Sequence, residues 1–149
     1  MQLKKESSRA QISLEFLLIF AALVAFMGLF VPVFHSVLDE SLFALDLLRA
    51  QHFADSFSTE SFDLRVQGAG SFATVPAYPL SEWSVLVSGP RLGVTVFSKS
   101  GRSRVLTREL GVASQDAVAV WYLDHAASFV LRVENGLLTV NQQSDIVDP

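Results

Sequence analysis

Glu15 is the first residue whose type and position could do chemistry, because it stands at the start of an apolar segment. Residues 16–34 contain no charged side chain and no Asn or Gln. A carboxylate within a membrane helix costs on the order of 2.5–3.5 kcal/mol at mid-bilayer and less near the interface. A group of opposite charge would offset that cost by pairing with the carboxylate. Glu15 is therefore a candidate assembly residue that needs a cationic partner.

A basic stretch in the second half of the chain is the next candidate site. Between residues 91 and 108 the sequence has no acidic residue, and its five basic residues are Arg91, Lys99, Arg102, Arg104 and Arg108. In a chain with a net charge of −4, such a stretch could form an adhesive patch for anionic polymers. It could also complement the acids of a neighbouring subunit. The solvated rim of a hairpin gives the same pattern, and we favour that interpretation.

Asp124, His125 and Ser128 have the residue types of a hydrolase triad, but their spacing argues against one. Neighbouring residues at a strand end point apart, and no nucleophile elbow surrounds the serine. The three histidines of the chain are too far apart in sequence for a metal-binding motif, and there is no cysteine. We therefore expect no enzyme activity, no cofactor and no metal site.

The element that must position Glu15 is a helix of membrane length. The 19 residues from 16 to 34 span about 28 Å at the rise of an α-helix, close to the roughly 30 Å hydrocarbon core of a bilayer. We expect the membrane span at about residues 14–36. Lys4, Lys5 and Arg9 precede it, and this basic flank predicts a cytoplasmic N-terminus with the bulk of the chain outside.

The residues around Glu15 resemble the N-termini of archaeal type IV pilin-like precursors with a class III signal peptide. An ordinary secretory signal has its small-residue cleavage site after the apolar run, whereas the small residue here lies before it. In this family a prepilin-type peptidase cuts ahead of a Gln-x-Ser-x-Glu motif; the matching residues are Ala10, Gln11, Ser13, Glu15 and Leu17. The resemblance implies that residues 1–10 are a leader. An uncleaved signal anchor is the alternative.

Removal of the leader would leave a free α-amine at Gln11, four residues from Glu15. A second copy, shifted along the helix axis, could place its amine against this carboxylate, and the pair would be strong in a low-dielectric setting. Because the contact is head-to-tail, it propagates into a helical filament rather than closing as a dimer. The resemblance implies the same assembly. The expected partners are the prepilin-type peptidase, membrane lipid, and other copies or related pilin subunits.

The helix is predicted to continue beyond the membrane, within residues 11–60. Apolar residues recur at steps of four and three, the spacing of one helical face. They are Phe43, Leu47, Ala50, Ala54 and Phe57. This stripe can cover a soluble domain. Pro32 lies inside the helix and removes one backbone hydrogen bond, so we expect a kink or local melting there. An ordinary membrane-helix proline is the alternative.

From residue 61 the period changes from helical to alternating. Phe62, Leu64 and Val66 alternate with polar residues, which indicates a strand, and similar runs follow. One of these runs is Val118, Val120 and Tyr122. Asn135-Gly136 is the strongest hairpin signal, because a type I′ turn needs positive φ at both positions.

Together these runs predict an α+β fold. We expect five to seven short antiparallel strands in residues 61–143, packed on the outer half of the helix. Residues 144–149 are expected to form a frayed tail.

The chain is best interpreted as a structural protein. Its acid excess argues against nucleic-acid binding. The sequence favours a subunit of a type IV pilus-like archaeal surface filament, with an adhesive role of the β domain left open. The alternative is a singly anchored cell-surface binding protein, or a minor pilin, whose extracellular β domain does not polymerise.

Overall fold

The described part of the chain consists of one long helix followed by seven strands. The computed structural model describes the backbone of residues 3–144 and the side chains of residues 14–143. The helix, α1 (Leu3–Gln67), begins before residue 11, the first residue of the predicted helical region, because no glycine or proline interrupts the preceding residues. The chain divides into two compact units, Met1–Leu38 and Asp39–Pro149, and the boundary falls within α1. Of the predicted frayed tail, residues 144–149, Ser144 is instead the last residue of the final strand, and residues 145–149 lie outside the described residues.

In the first unit, every described side chain of α1 is exposed. This holds from residue 14 to residue 38. Phe26, Phe30 and Phe34 stack on one another at i, i+4 spacing, with ring centroids 5.6 and 6.1 Å apart. The helix continues without interruption through Pro32, so the turn around this proline is not melted. A kink at Pro32 stays a prediction.

In the second unit, one face of α1 is buried. The fully buried apolar side chains of this face are Ala50, Phe53, Ala54, Phe57 and Leu64. Phe43 and Leu47 are partly buried and pack against them. The predicted stripe from residue 43 to residue 57 is therefore confirmed as the face that contacts the core.

The prediction that a strand begins at residue 61 is wrong, because α1 extends to Gln67. Ser61 and Leu64 continue the buried face at steps of four and three from Phe57, while Phe62 and Val66 are exposed. The hydroxyl of Ser61 is satisfied locally, since it donates to the carbonyl of Ser58 and accepts from the amide of Gly111. Because Ser61 is polar but buried, the spacing of apolar residues alone did not show that the helical period continues past Phe57.

The seven strands form two antiparallel sheets, which confirms the predicted α+β class. The strands are β1 (Phe72–Ala77), β2 (Trp83–Ser88), β3 (Arg91–Phe97), β4 (Ser103–Glu109), β5 (Ala119–Leu123), β6 (Ala127–Glu134) and β7 (Leu137–Ser144). One sheet has the order β1-β6-β7, and the other has the order β4-β3-β2-β5. All five strand pairs are antiparallel.

The turn between β6 and β7 has the geometry that the sequence predicts. Asn135 has φ of 53° and Gly136 has φ of 78°, both in the left-handed region. A type I′ turn requires this at both positions and matches the right-handed twist of the flanking strands. The Asn135-Gly136 hairpin is confirmed.

Aromatic side chains join α1 to both sheets. The ring of Phe53 lies 6.1 Å from that of Trp83 in β2 and 5.5 Å from that of Phe129 in β6. Trp121 of β5 also contacts Phe129, with centroids 5.5 Å apart. One continuous core therefore lies between the helix and the two sheets.

The alternating apolar residues that the sequence suggested for the region of β5 do not face the core. Leu123 is buried and lies opposite Trp83 of β2, whereas Val118, Val120 and Tyr122 are exposed. Both faces of this strand are apolar, so alternation could not decide which face would be buried. Pairing with β2 decides it.

Candidate functional site

Glu15 lies on a helix where no described side chain pairs with it. Its side chain is exposed, and no ion pair or hydrogen bond among the described residues involves it. Leu17, two residues further on, is 65% exposed. The side chains of Ala10, Gln11 and Ser13 lie outside the described ones. The carboxylate of Glu15 is therefore open to a partner from another molecule.

The helix that carries Glu15 is long and apolar enough to cross a membrane. The span that meets this criterion is Leu14–Gln67, with a mean hydropathy of 2.7 in its apolar window and none of that window buried. An apolar surface of this size is costly in water, since each square ångström removed from water is worth about 25 cal/mol. Lipid or other apolar helices must cover it.

The basic stretch does not form one patch, because two of its arginines contact α1. Arg102 Nη1 lies 3.3 Å from Glu40 Oε1, and its guanidinium lies 5.4 Å from the ring centroid of Phe43. Arg108 Nε lies 2.5 Å from Asp55 Oδ1. The acids that these arginines meet belong to the same chain, whereas the sequence suggested those of a neighbouring subunit. Both pairs tie the edge of the four-stranded sheet to the helix.

The other three basic residues of the stretch lie in different places. Arg104 lies opposite the buried Val96, on the core-facing side of β4, but is itself exposed. Arg91 lies on the opposite face of the sheet, paired in register with Glu109. Lys99 follows β3 and lines a small cleft that Asp39 also lines. This distribution agrees better with a solvated rim than with a single adhesive surface.

Asp46 is an important residue that the sequence analysis did not single out. Its side chain is 1% exposed, and its carboxylate accepts hydrogen bonds from the amides of Leu80 (2.9 Å) and Ser81 (3.0 Å) and from the Ser81 hydroxyl. The carboxylate therefore fastens the β1–β2 loop to α1. Its position was a usable signal, because Asp46 lies three residues after Phe43 and four before Ala50, on the buried face.

The expectation that Asp124 and His125 point apart is wrong. Their side chains are in contact through Asp124 Oδ1 and His125 Nδ1. Both residues lie in a bend after β5, where side chains no longer alternate between two faces. The two side chains are 74% and 60% exposed, so this pair lies at the solvent-exposed surface. Ser128 lies within β6, in register with Pro76 of β1 and Gln143 of β7.

Larger clefts in the described part of the chain are open to solvent. One of about 440 Å³ lies beside α1 and is lined by Arg49, His52, Phe53, Ser56, Pro76 and Tyr78. The guanidinium of Arg49 is 3.4 Å from the carbonyl oxygen of Tyr78, to which it donates. This arrangement holds the end of β1 to the helix.

The geometry defines a class of protein: a small α+β domain on a helix whose described first part is exposed and apolar and begins with an acid, Glu15, that no described side chain pairs with. Residues 8–26 match the family model of the class III signal peptide. No curated protein and no solved structure matches the chain. The match includes Ala10, Gln11, Ser13, Glu15 and Leu17, and it supports a type IV pilin-like precursor that a prepilin-type peptidase processes. Together with the apolar helix, it also supports membrane anchoring and secretion.

Proposed function

We propose that this protein is a structural, non-enzymatic subunit of a type IV pilus-like archaeal surface filament. It is made as a precursor with a cytoplasmic N-terminus and is held in the membrane by the first part of α1. The peptidase removes residues 1–10, and the processed helix then enters the filament. The β domain faces outward, where it can contact other surfaces. It does not bind nucleic acid.

The observation that carries this proposal is the exposed Glu15 within the segment that matches the class III signal peptide. Cleavage after Ala10 creates an α-amine at Gln11, about 6 Å along the helix from Glu15 at 1.5 Å per residue. A neighbouring copy shifted along the axis brings its amine to the first copy's carboxylate. The two charges then lie in lipid as a pair, and the free-energy cost of placing the pair there is much lower than that of a lone carboxylate.

Polymerisation follows from the symmetry of this contact. The amine of one copy meets the carboxylate of the next, so the two sides of the contact differ. Contacts of this heterologous kind generate open helical assemblies. The exposed apolar side chains of residues 16–34 then contact neighbouring helices instead of lipid, and close packing between the helices drives this change.

Replacement of Glu15 tests the proposal. The Glu15→Gln variant keeps the size of the side chain but removes its charge, and Glu40→Gln is a matched control on the same helix. Cells expressing each chain are sheared, and the sedimented filaments and the membrane fraction are both quantified. N-terminal sequencing of each fraction shows whether the chain begins at Gln11.

We expect wild type and Glu40→Gln to give filaments whose subunits begin at Gln11. Glu15→Gln should be clipped at the same place but stay in the membrane fraction, with filament yield reduced by at least about tenfold, the factor that corresponds to 1.4 kcal/mol. Normal filaments from Glu15→Gln would contradict the pairing. A wild-type chain that is clipped at Gln11 but stays dispersed in membrane would instead support the singly anchored surface protein.

A further inference from the structure

The two open edges of the four-stranded sheet differ in charge. β4 carries Arg104, Arg108 and Glu109, whereas β5 (Ala119–Leu123) has no charged residue and no proline. Natural proteins protect exposed edge strands with charges, prolines or bulges, since an unprotected edge can pair with another strand. The β4 edge has such protection, and the β5 edge lacks it.

The hydrogen-bond pattern shows which backbone groups of β5 face outward. The amide of Phe97 donates to the carbonyl of Glu82 at 3.0 Å, so the even-numbered residues of β2 bond to β3. By the alternation of antiparallel pairs, the odd-numbered residues of β2 bond to β5, and their partners are residues 119, 121 and 123. The N–H and C=O groups of Val120 and Tyr122 therefore point to the open edge. Among the described residues, no hydrogen bond reaches them.

The side chains at this edge are also suited to a contact. Val120 is 44% exposed and Tyr122 is 78% exposed, on the face of the sheet that does not meet the core. Leu86 of β2 lies opposite Val120 on the same face and is 38% exposed. Backbone groups without partners thus coincide with an uncharged, largely apolar surface.

We propose that β5 pairs antiparallel with β5 of a second copy of this chain, around a two-fold axis at Trp121. Only this centre overlaps all five residues of both strands. It places Val120 of each copy opposite Tyr122 of the other, so both outward-facing residues exchange hydrogen bonds. It also joins a β-branched side chain to an aromatic one, a favourable cross-strand combination.

Charge permits a second copy to pair with the β5 edge and opposes the same pairing at the β4 edge. Extending the β5 alignment past the strand ends places Asp124 opposite Val118 and Asp116 opposite Ala126, so no like charges face each other. The equivalent self-pairing of β4, centred on Leu106, would place Arg104 directly opposite Arg108. Like charges opposite each other destabilise a strand pair.

The symmetry of this contact separates it from the proposed filament contact. A two-fold contact uses the same surface on both copies and closes on itself, so it does not extend a helical assembly. It joins two anchored chains in the membrane or, if the proposed function holds, subunits of two neighbouring filaments. Lateral bundling of filaments is the expected consequence in that case.

Cysteine cross-linking tests both the edge and the register, because the chain contains no cysteine. Val120→Cys and Tyr122→Cys chains carrying different tags are co-expressed, and the full-length proteins are oxidised in detergent. In the proposed register these positions face each other with Cα atoms about 5.5 Å apart, within the range for a disulfide, whereas identical positions lie diagonally at roughly 7–8 Å. The matched control is Val105→Cys with Thr107→Cys, the corresponding pair on β4.

We expect the mixed disulfide between positions 120 and 122 to form at least about tenfold faster than either single variant or the β4 pair forms a dimer. A Val120→Lys change on the Tyr122→Cys chain should remove the cross-link and leave the melting temperature of the monomer unchanged. Equal rates at both edges would overturn the proposal. The same experiment in a Glu15→Gln background separates the two contacts: the cross-link should persist there even though filaments are lost.

Discussion

Two stretches of α1 carry the same aromatic motif in opposite surroundings. Phe26 and Phe30 stack at i, i+4 with centroids 5.6 Å apart, and Phe53 and Phe57 contact at the same spacing with centroids 5.7 Å apart. The first two side chains are 59% and 51% exposed, whereas the second two are 3% and 0% exposed. The helix is the same; only the second stretch is covered by sheets from later in the chain. An i, i+4 apolar pair therefore indicates a face that must be covered, without indicating what covers it.

The comparison assigns the two stretches to different sources of stability. Residues 43–64 obtain theirs within the molecule, from a core shared with β2 and β6. The exposed stretch must obtain its stability from lipid or from other helices, because the apolar side chains of its own unit are not buried against anything within that unit. Substitutions in the two stretches should consequently change different measurements.

The largest expected effect is that of Phe57→Ala. Phe57 is fully buried, and its ring contacts those of Phe53 and Phe129, so truncation leaves a cavity in the core. We expect the free energy of unfolding to fall by about 3–5 kcal/mol. Denaturant unfolding in detergent measures it, and tryptophan fluorescence reports specifically on the β domain, because the two tryptophans are Trp83 and Trp121.

Phe30→Ala is the matched control for this prediction. The same truncation at an exposed site should change the unfolding free energy of the β domain by less than about 0.5 kcal/mol. It should instead lower the yield of filaments or the retention of the chain in membranes. Comparable losses of β-domain stability for Phe30→Ala and Phe57→Ala would break the distinction between the two stretches.

The next effect compares two acids on α1. Asp46 is buried and accepts three hydrogen bonds from the β1–β2 loop. Asp46→Asn replaces one accepting oxygen by an amide that faces donors, so we expect a loss of about 1–3 kcal/mol in unfolding free energy. Glu15→Gln should leave that quantity within about 0.5 kcal/mol, because no described residue bonds to Glu15. A stability of Asp46→Asn equal to wild type would mean that the loop does not depend on the carboxylate.

Much of the fold could be predicted from the sequence because its signals are local. The buried stripe of α1 and the Asn135-Gly136 turn depend on residues within a few positions of each other. Prediction failed where contacts with residues far away in sequence decide which side chains are buried. Ser61 is buried in the helix because its hydroxyl bonds to Gly111, fifty residues away in sequence. β5 turns the buried Leu123 and the partly buried Trp121 toward the core, rather than Val120, because of its register with β2.

The candidate site divides in the same way. The class III signal peptide is a linear segment, so the sequence alone was enough to predict it, and the family match covers residues 8–26. The five residues of the basic stretch are close together in sequence, but they do not share one surface in the structure. Its Arg102 and Arg108 meet Glu40 and Asp55 through contacts that span 62 and 53 residues. Such contacts depend on how a hairpin packs against a helix, and no local pattern encodes them.

The smallest expected effect concerns these ion pairs and asks whether they or the core hold α1 to the sheet. Arg108 and Asp55 are 36% and 58% exposed at their side chains, so water and salt screen the attraction despite the 2.5 Å separation. A double-mutant cycle of Arg108→Ala and Asp55→Ala should give a coupling of about 0.2–1 kcal/mol in unfolding free energy, decreasing as salt is raised. Arg91→Ala combined with Asp55→Ala is the control and should show no coupling.

A coupling as large as the loss caused by Phe57→Ala would mean that charge, rather than the apolar core, fixes the helix to the sheet. The ion pairs would then account for the difference between the covered and the exposed stretch of α1.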